Sequence, residues 1–212
     1  MSSRETTVKR RRGLLFVVSA PSGAGKTSLC HELMAQLPDL QFSVSCTTRQ
    51  PRLGERPDRD YHFIDEPAFR TMIKEGAFLE WAEVYGKLYG TPRVPIQRWM
   101  AQGQDVLLDI DAQGATQIRR HVPEAVSIYI LPPSMVVLRR RLEDRKADSP
   151  EEITKRLKLA NEEISYYREY SYIIINDDFK FSVRQLEAIV LAERCRTSAL
   201  DPSQIDQILL EN

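Results

Sequence analysis

The sequence predicts an α/β fold: a parallel sheet flanked by helices, with a small mixed β/α lobe inserted into it. Three observations carry the prediction. Short apolar runs such as VLLDI, VSIYI and YIIIN recur along the chain, as strands covered on both faces do. Segments with helical period alternate with them, the pattern of βαβ units joined by right-handed crossovers. Residues 46–92 break the alternation, opening with CTTRQPRLGERPDRDY, which has no apolar period and is crowded with Arg, Pro and Gly.

In chain order, buried strands are expected at 14–19, 42–45, 106–110, 126–131 and 172–175. Helices are expected at 26–36, 94–102, 112–121, 134–145 and 149–167, with a last one near 182–194. The helix at 149 opens with SPEE: Ser149 can cap it, Pro150 suits the first helical position, and Glu152 can close a capping box. Within the insertion, YHFI and FLEWAEVYG read as β-like pieces with a helix near 67–74 between them. Residues 1–12 are polar and basic and read as a disordered tail, leaving 13–212 as a single domain.

Composition narrows the function. A chain of 212 residues suits one domain with a sizeable core. Lys+Arg and Asp+Glu are both 30, so wholesale nucleic-acid binding is not expected from net charge, although local basic patches stay open; neither a nucleic acid nor a membrane is expected as a partner. Cys30, Cys46 and Cys195 are odd in number and widely spaced, which argues against a disulfide framework or zinc site and fits a reducing cytoplasm. The start VKRRRGLLFVVSA mimics a signal peptide, but its apolar run is short and cleavage near Ala20 would destroy the loop discussed next. No run approaches the ~18 apolar residues of a membrane span. Nothing in the sequence specifies an oligomeric state.

That loop is VVSAPSGAGKTSL. It follows an apolar strand and opens a helix, the setting in which the phosphate-binding pattern G-x-x-x-x-G-K-[ST] is credible. Gly23 and Gly25 let backbone N–H groups turn toward an anion, and the helix N-terminus adds its positive dipole end. Lys26 should reach the β- and γ-phosphates, and Thr27 should offer a hydroxyl to Mg²⁺. Ala20 replaces the first glycine, which is tolerable if its backbone is ordinary β. Asp109 and Asp111, in LLDID, stand where a parallel sheet binds ligands. Two apart in a strand they would share a face; alternatively one caps the helix starting at Ala112.

With FSVSCTTRQPRLGE, FLEWAEVYGKLYGT, LLDIDAQGA, ILPPS, KRL and IIINDD added to the loop, the chain resembles the guanylate kinases from about residue 14 to 194. These transfer the γ-phosphoryl of ATP to GMP. The resemblance implies a P-loop nucleoside-monophosphate-kinase fold, with core 13–42, 93–133 and 169–212, a GMP-binding lobe 43–92 and a helical lid 134–168. It implies ATP contacts at Ala20, Pro21, Ser22, Gly23, Ala24, Gly25, Lys26, Thr27 and Ser28, with Asn176 beside the adenine. Ser45 would bond guanine O6, Thr91 would assist, and Glu80 and Asp111 would accept from N1–H and the 2-amino group. Arg49, Arg52, Tyr61 and Tyr89 would hold the GMP phosphate; two arginines three apart in a loop suit a dianion on their own account. Glu80 is expected to be a pure acceptor at neutral pH. Lys26 and the lid arginines Arg141, Arg145 and Arg156 would be catalytic, and Asp109 would hold Mg²⁺ through water beside Thr27.

Two departures stand out. Lys146 follows the lid arginine where the family usually has Gly, and RPDRD is atypical in the acceptor loop. A related kinase acting on a phosphorylated sugar is disfavoured by Ser45 and Glu80, which fit a guanine edge. A non-catalytic guanylate-kinase-like binding module is disfavoured because Lys26 and Thr27 are intact.

Overall fold

Side chains on the first strand, β1 (Leu15–Ser19), alternate between two cores: Phe16 and Val18 enter one, Leu15 and Val17 the other. This is what period-two geometry does to a strand covered on both faces. The structure, a computed structural model, describes residues 12–200 apart from 53, 85 and 145–148, together with 202, 205, 206 and 210. Arg145 and Lys146 therefore lie outside the described residues, as does the basic tail except for Arg12, which pairs with Glu124 at 3.5 Å.

After β1 come α1 (Lys26–Gln36) and β2 (Gln41–Phe42). The insertion contributes β3 (Cys46–Thr47), β4 (His62–Phe63), α2 (Glu66–Lys74), β5 (Phe78–Val84) and β6 (Lys87–Pro92). The chain returns through α3 (Arg93–Ala101), β7 (Val106–Asp109), α4 (Ala112–His121) and β8 (Val126–Leu131). It continues with α5 (Met135–Asp144), α6 (Pro150–Ile164), a 3-10 turn at Ser165–Glu169, β9 (Tyr172–Ile175) and α7 (Phe179–Arg194).

The main sheet is parallel, in the order β2-β7-β1-β8-β9. Helices α1 and α7 cover one face through Leu29, Leu33, Val183, Leu186 and Val190. Helices α3 and α4 cover the other through Ile96, Met100, Ala115 and Ile118. Each Val, Leu, Ile or Met among them contributes about 1.5–3 kcal/mol by its burial, and Ala115 less. The chain moves toward β2 from β1, then crosses to β8, so the carboxyl ends of β1 and β7 flank the crevice where such sheets bind ligands. Register pairs Val18 with Asp109, setting Asp109 beside the strand end that feeds the phosphate loop.

A second sheet, β4-β3-β6-β5, is formed by the insertion. It packs on α2 through Phe69, which stacks on Phe78 with ring centroids 4.5 Å apart. A third cluster joins α5 to α6 through Leu138, Leu142, Ile153, Leu157 and Ala160. The capping box at Ser149 is formed: Glu152 N–H donates to Ser149 Oγ at 3.3 Å, and Ser149 N–H donates to the Glu152 carboxylate at 2.7 Å.

Several sequence expectations change. The strand expected at 42–45 is two short strands in different sheets, because the chain leaves β7 after Ser43 N–H bonds the Leu107 carbonyl. Strand β6 was not anticipated; it forms a hairpin with β5, turning at Gly86, whose φ is 70°. The 149–167 helix ends at Ile164 and tightens into the 3-10 turn. Helix α7 starts before 182 because Asp178 caps it, accepting from Phe181 N–H at 2.6 Å.

Candidate functional site

The phosphate loop is shaped by its glycines. Gly23 and Gly25 have φ of 92° and 95°, conformations that side chains disfavour. A Cβ on Gly25 would also lie 2.5 Å from Asn176 Nδ2. Asp58 is the sole non-glycine at positive φ among the described residues, so the Ala20 methyl brings no backbone strain. Helix α1 begins at Lys26 with its first N–H groups facing the loop.

Lys26 Nζ donates to the Ile110 carbonyl at 2.8 Å and forms an ion pair with Asp109. Burial alone would lower the Lys26 pKa, but the Asp109 carboxylate outweighs it and holds the ammonium above its ordinary value. Thr27 Oγ1 donates to Asp109 Oδ2 at 2.9 Å. A hydroxyl and a carboxylate oxygen thus stand together at the loop's edge, the hard donors that suit Mg²⁺. Asp111 does not share that face. It lies past the end of β7 and caps α4, accepting from Gly114 N–H at 2.8 Å.

The opposite wall of the site is built across strands. Between β5 and β6 the register runs Phe78↔Pro92, then Glu80↔Thr91, so Leu79 is an extra residue. This bulge sets Glu80 directly opposite Thr91 and aims it, with Ala82 and Val84, into the cavity. Thr91 Oγ1 donates to Glu80 Oε1, and Ser45 Oγ lies 3.4 Å from Thr91 Oγ1. Glu80 is 5% exposed. Burial pushes its carboxyl up to about 7, opposed by the Thr91 hydrogen bond and aided by the Asp111 carboxylate. Glu80 is therefore not a pure acceptor at neutral pH before substrate arrives; part of the population carries a proton.

Arg49 is largely committed. Its Nη1 and Nη2 reach the two oxygens of Glu55 at 2.8 and 2.9 Å, and its Nε donates to Tyr89 Oη at 3.2 Å. Its guanidinium lies 5.3 Å from the Tyr61 ring centre. Glu55, held below the usual carboxylate range by Arg49, also accepts from Arg52 N–H at 2.7 Å. Because Tyr89 Oη accepts from Arg49, its own proton stays available to an anion.

One cavity of about 250 Å³ joins these halves. Ala20, Pro21, Ser22, Gly23, Gly25, Lys26, Thr27, Ser45, Arg52, Tyr61, Glu80, Tyr89, Asp109, Asp111 and Arg156 all line it. Arg49 and Ser28 line an adjoining cavity that shares Thr27, Ser45, Arg52, Tyr61 and Asp109. Four expected residues, Ala24, Thr91, Asn176 and Arg141, line neither cavity. Ala24 is buried in the core, and Thr91 is buried behind Glu80. Asn176 is buried too; its Nδ2 donates to the Ala24 carbonyl at 2.8 Å, bracing the loop from its inner side. Arg141 Nη2 reaches the Asn176 carbonyl at 2.8 Å, tying α5 to the same brace, and Arg156 Nη1 reaches Ser22 Oγ at 3.3 Å.

The sequence reading missed Glu55, Glu163 and Gly114. Glu163 lines the cavity, accepts from Ser22 N–H, and has a pKa raised by burial. Its backbone carbonyl is anchored by Tyr129 Oη at 2.7 Å. Glu163 is two helical turns from Arg156, so the two share a face of α6 and meet the loop together. That spacing was readable; its meeting with Ser22 was not.

A family model described as guanylate kinase matches residues 12–193. A guanylate kinase of Syntrophotalea carbinolica is 50% identical over 191 residues, covering 90% of this chain and 91% of the relative. One from Caldanaerobacter subterraneus subsp. tengcongensis is 49% identical over 187 residues, covering 88% and 91%. The crystal structure of guanylate kinase from Anaplasma phagocytophilum superposes with a TM-score of 0.77 at 36% identity, covering 90% of each chain.

Proposed function

The chain belongs to the guanylate kinase family and transfers the γ-phosphoryl of ATP to GMP, giving ADP and GDP, and we propose how its residues divide that work. The proposal rests on one observation above all: the phosphate loop with Lys26 and the pocket around Glu80 open into the same cavity.

The loop 20–28 cradles the ATP phosphates, and Lys26 reaches the β- and γ-phosphoryl groups, leaving its contact with the Ile110 carbonyl. Thr27, with Asp109 through water, would hold Mg²⁺, which when bound would neutralise charge on the transferring phosphoryl. Guanine enters between Ser45, Glu80 and Asp111. The Ser45 hydroxyl donates to O6, the Glu80 carboxylate accepts from N1–H and the 2-amino group, and Asp111 accepts the second 2-amino hydrogen. Arg52, Tyr61, Tyr89 and the uncommitted N–H of Arg49 hold the GMP phosphate. Every group assigned here addresses the base or the phosphate, so dGMP is expected to serve as an acceptor as well.

A GMP phosphate oxygen attacks the γ-phosphorus in line; the new O–P bond forms as the bond to the β-phosphate bridging oxygen breaks, and ADP leaves. No general base is needed, since a phosphate monoester with a second pKa of ~6 is largely ionised at neutral pH. Arg156, with Arg145 and Arg141 of the lid 134–168, neutralises charge in the transition state, while Asn176 holds the loop beneath the adenine nucleotide. The lobe 43–92 carries the acceptor and the remaining segments form the core. The free cysteines fit a cytoplasmic enzyme of purine nucleotide metabolism. Among the described residues no helix is long and apolar enough to cross a membrane.

A coupled assay for ADP release with GMP, AMP, CMP and UMP tests the base reading. GMP should be preferred by kcat/KM on the order of 10⁴-fold over AMP, because adenine meets Glu80 with an unprotonated N1. Comparable use of AMP would overturn it.

A further inference from the structure

Helix α4 is fastened to β5 around Glu80. The Gln117 side chain accepts from Trp81 N–H at 3.2 Å and donates to the Trp81 carbonyl at 2.6 Å. One turn earlier, Gly114 N–H is bound to the Asp111 cap at 2.8 Å. Between these attachments Gly114 faces the Glu80 carboxylate. A Cβ built on Gly114 would lie 2.4 Å from Glu80 Oε2 and 2.9 Å from its Cδ, with Ile110 Cδ1 at 3.4 Å.

Backbone conformation does not call for glycine here. Gly114 is helical and absent from the glycines at positive φ. Inside a helix glycine is disfavoured against alanine, so local propensity argues for the opposite residue. Close approach of Glu80 is what the missing side chain permits. Glu80 cannot simply retreat: its other oxygen accepts from Thr91, and it is almost fully buried.

We infer that Gly114 is a specificity-determining positioning residue, reserving the volume in which the Glu80 carboxylate takes the orientation that reads guanine. This rests on the reading that Glu80 contacts the base. A methyl group at 114 turns or pushes the carboxylate off the guanine edge while leaving the phosphate loop untouched.

The test compares Gly114→Ala, Glu80→Ala and the double variant with the unaltered enzyme. Gly114→Ala should raise KM for GMP about tenfold or more and shrink the GMP-to-AMP ratio of kcat/KM by a similar factor, with KM for ATP within twofold. In the Glu80→Ala background, Gly114→Ala should add no further loss of GMP use, because the group it displaces is gone. If Gly114→Ala lowers the melting temperature, the double variant should recover it. The inference is overturned if KM for GMP stays within twofold, if KM for ATP rises in parallel, or if Gly114→Ala costs as much GMP use or stability in the Glu80→Ala background as in the unaltered enzyme. Should Glu80→Ala itself leave GMP use intact, the base reading fails, and the inference with it; should Glu80→Ala impair GMP use while Gly114→Ala does not, the inference alone fails.

Discussion

The phosphate loop and the base pocket face each other across one cavity, yet they are completed in different ways. The loop is a continuous stretch, 20–28, whose shape comes from backbone: two glycines at positive φ, a helix N-terminus, and a brace from Asn176. Its cation is held charged beside Asp109 before any substrate arrives. The proposed base pocket takes Ser45, Glu80, Thr91 and Asp111 from separate elements: Ser45, Thr91 and Glu80 are linked through their side chains, and Asp111 accepts from Gly114 N–H. Its carboxyl is poised near neutrality instead of being held ionised. One wall is thus shaped by contiguous backbone, whereas the other is assembled from side chains of separate elements.

Lys26→Ala should produce the largest effect. Removing the charged Lys26 ammonium should cost several kcal/mol of transition-state stabilisation, on the order of a thousandfold in kcat. Steady-state turnover with GMP in excess checks this, and near-normal turnover would break the donor half of the comparison. A smaller effect is expected at Glu55, which holds Arg49 by both arms and Arg52 by its backbone. Glu55→Ala should loosen the acceptor phosphate site, raising KM for GMP by about tenfold with KM for ATP little changed. Equal rises in both would mean that the halves are not separately built.

The same contrast explains what could be read from the chain. The helices Lys26–Gln36 and Ala112–His121 and the strands Val126–Leu131 and Tyr172–Ile175 match their expected bounds, because buried runs and local caps are contiguous signals. The loop was legible for the same reason. Strand Lys87–Pro92 was not: it holds Gly90 and Pro92, and its partners come from pairing distant in sequence. Ser45, Glu80, Tyr89 and Thr91 gained meaning only through family resemblance, since no local period links them. In NDD, Asn176 has the right chemistry for a ligand contact, but sequence cannot tell that its amide turns inward to Ala24. Gly114 in DAQGA reads only as a weak spot in a helix until Glu80 is seen against it.

Proton exchange on binding, the smallest effect, tests the comparison most directly. With the Glu80 carboxyl at about 7, roughly half of it is protonated at pH 7 in the free enzyme. Guanine offers two donors to the ionised form, which lowers that pKa in the complex, so GMP binding must release protons. The amount due to Glu80 should be about half a proton at pH 7, more at pH 6 and little at pH 8, and GMP affinity should rise with pH across this window. Lys26, held above its ordinary value, stays charged with or without ATP and should exchange none. Titration calorimetry in buffers of different ionisation enthalpy reads these numbers, and Glu80→Gln removes the Glu80 share while leaving that of the GMP phosphate. Proton release with GMP that falls away in Glu80→Gln is the predicted result. Identical release in the two proteins would contradict the account.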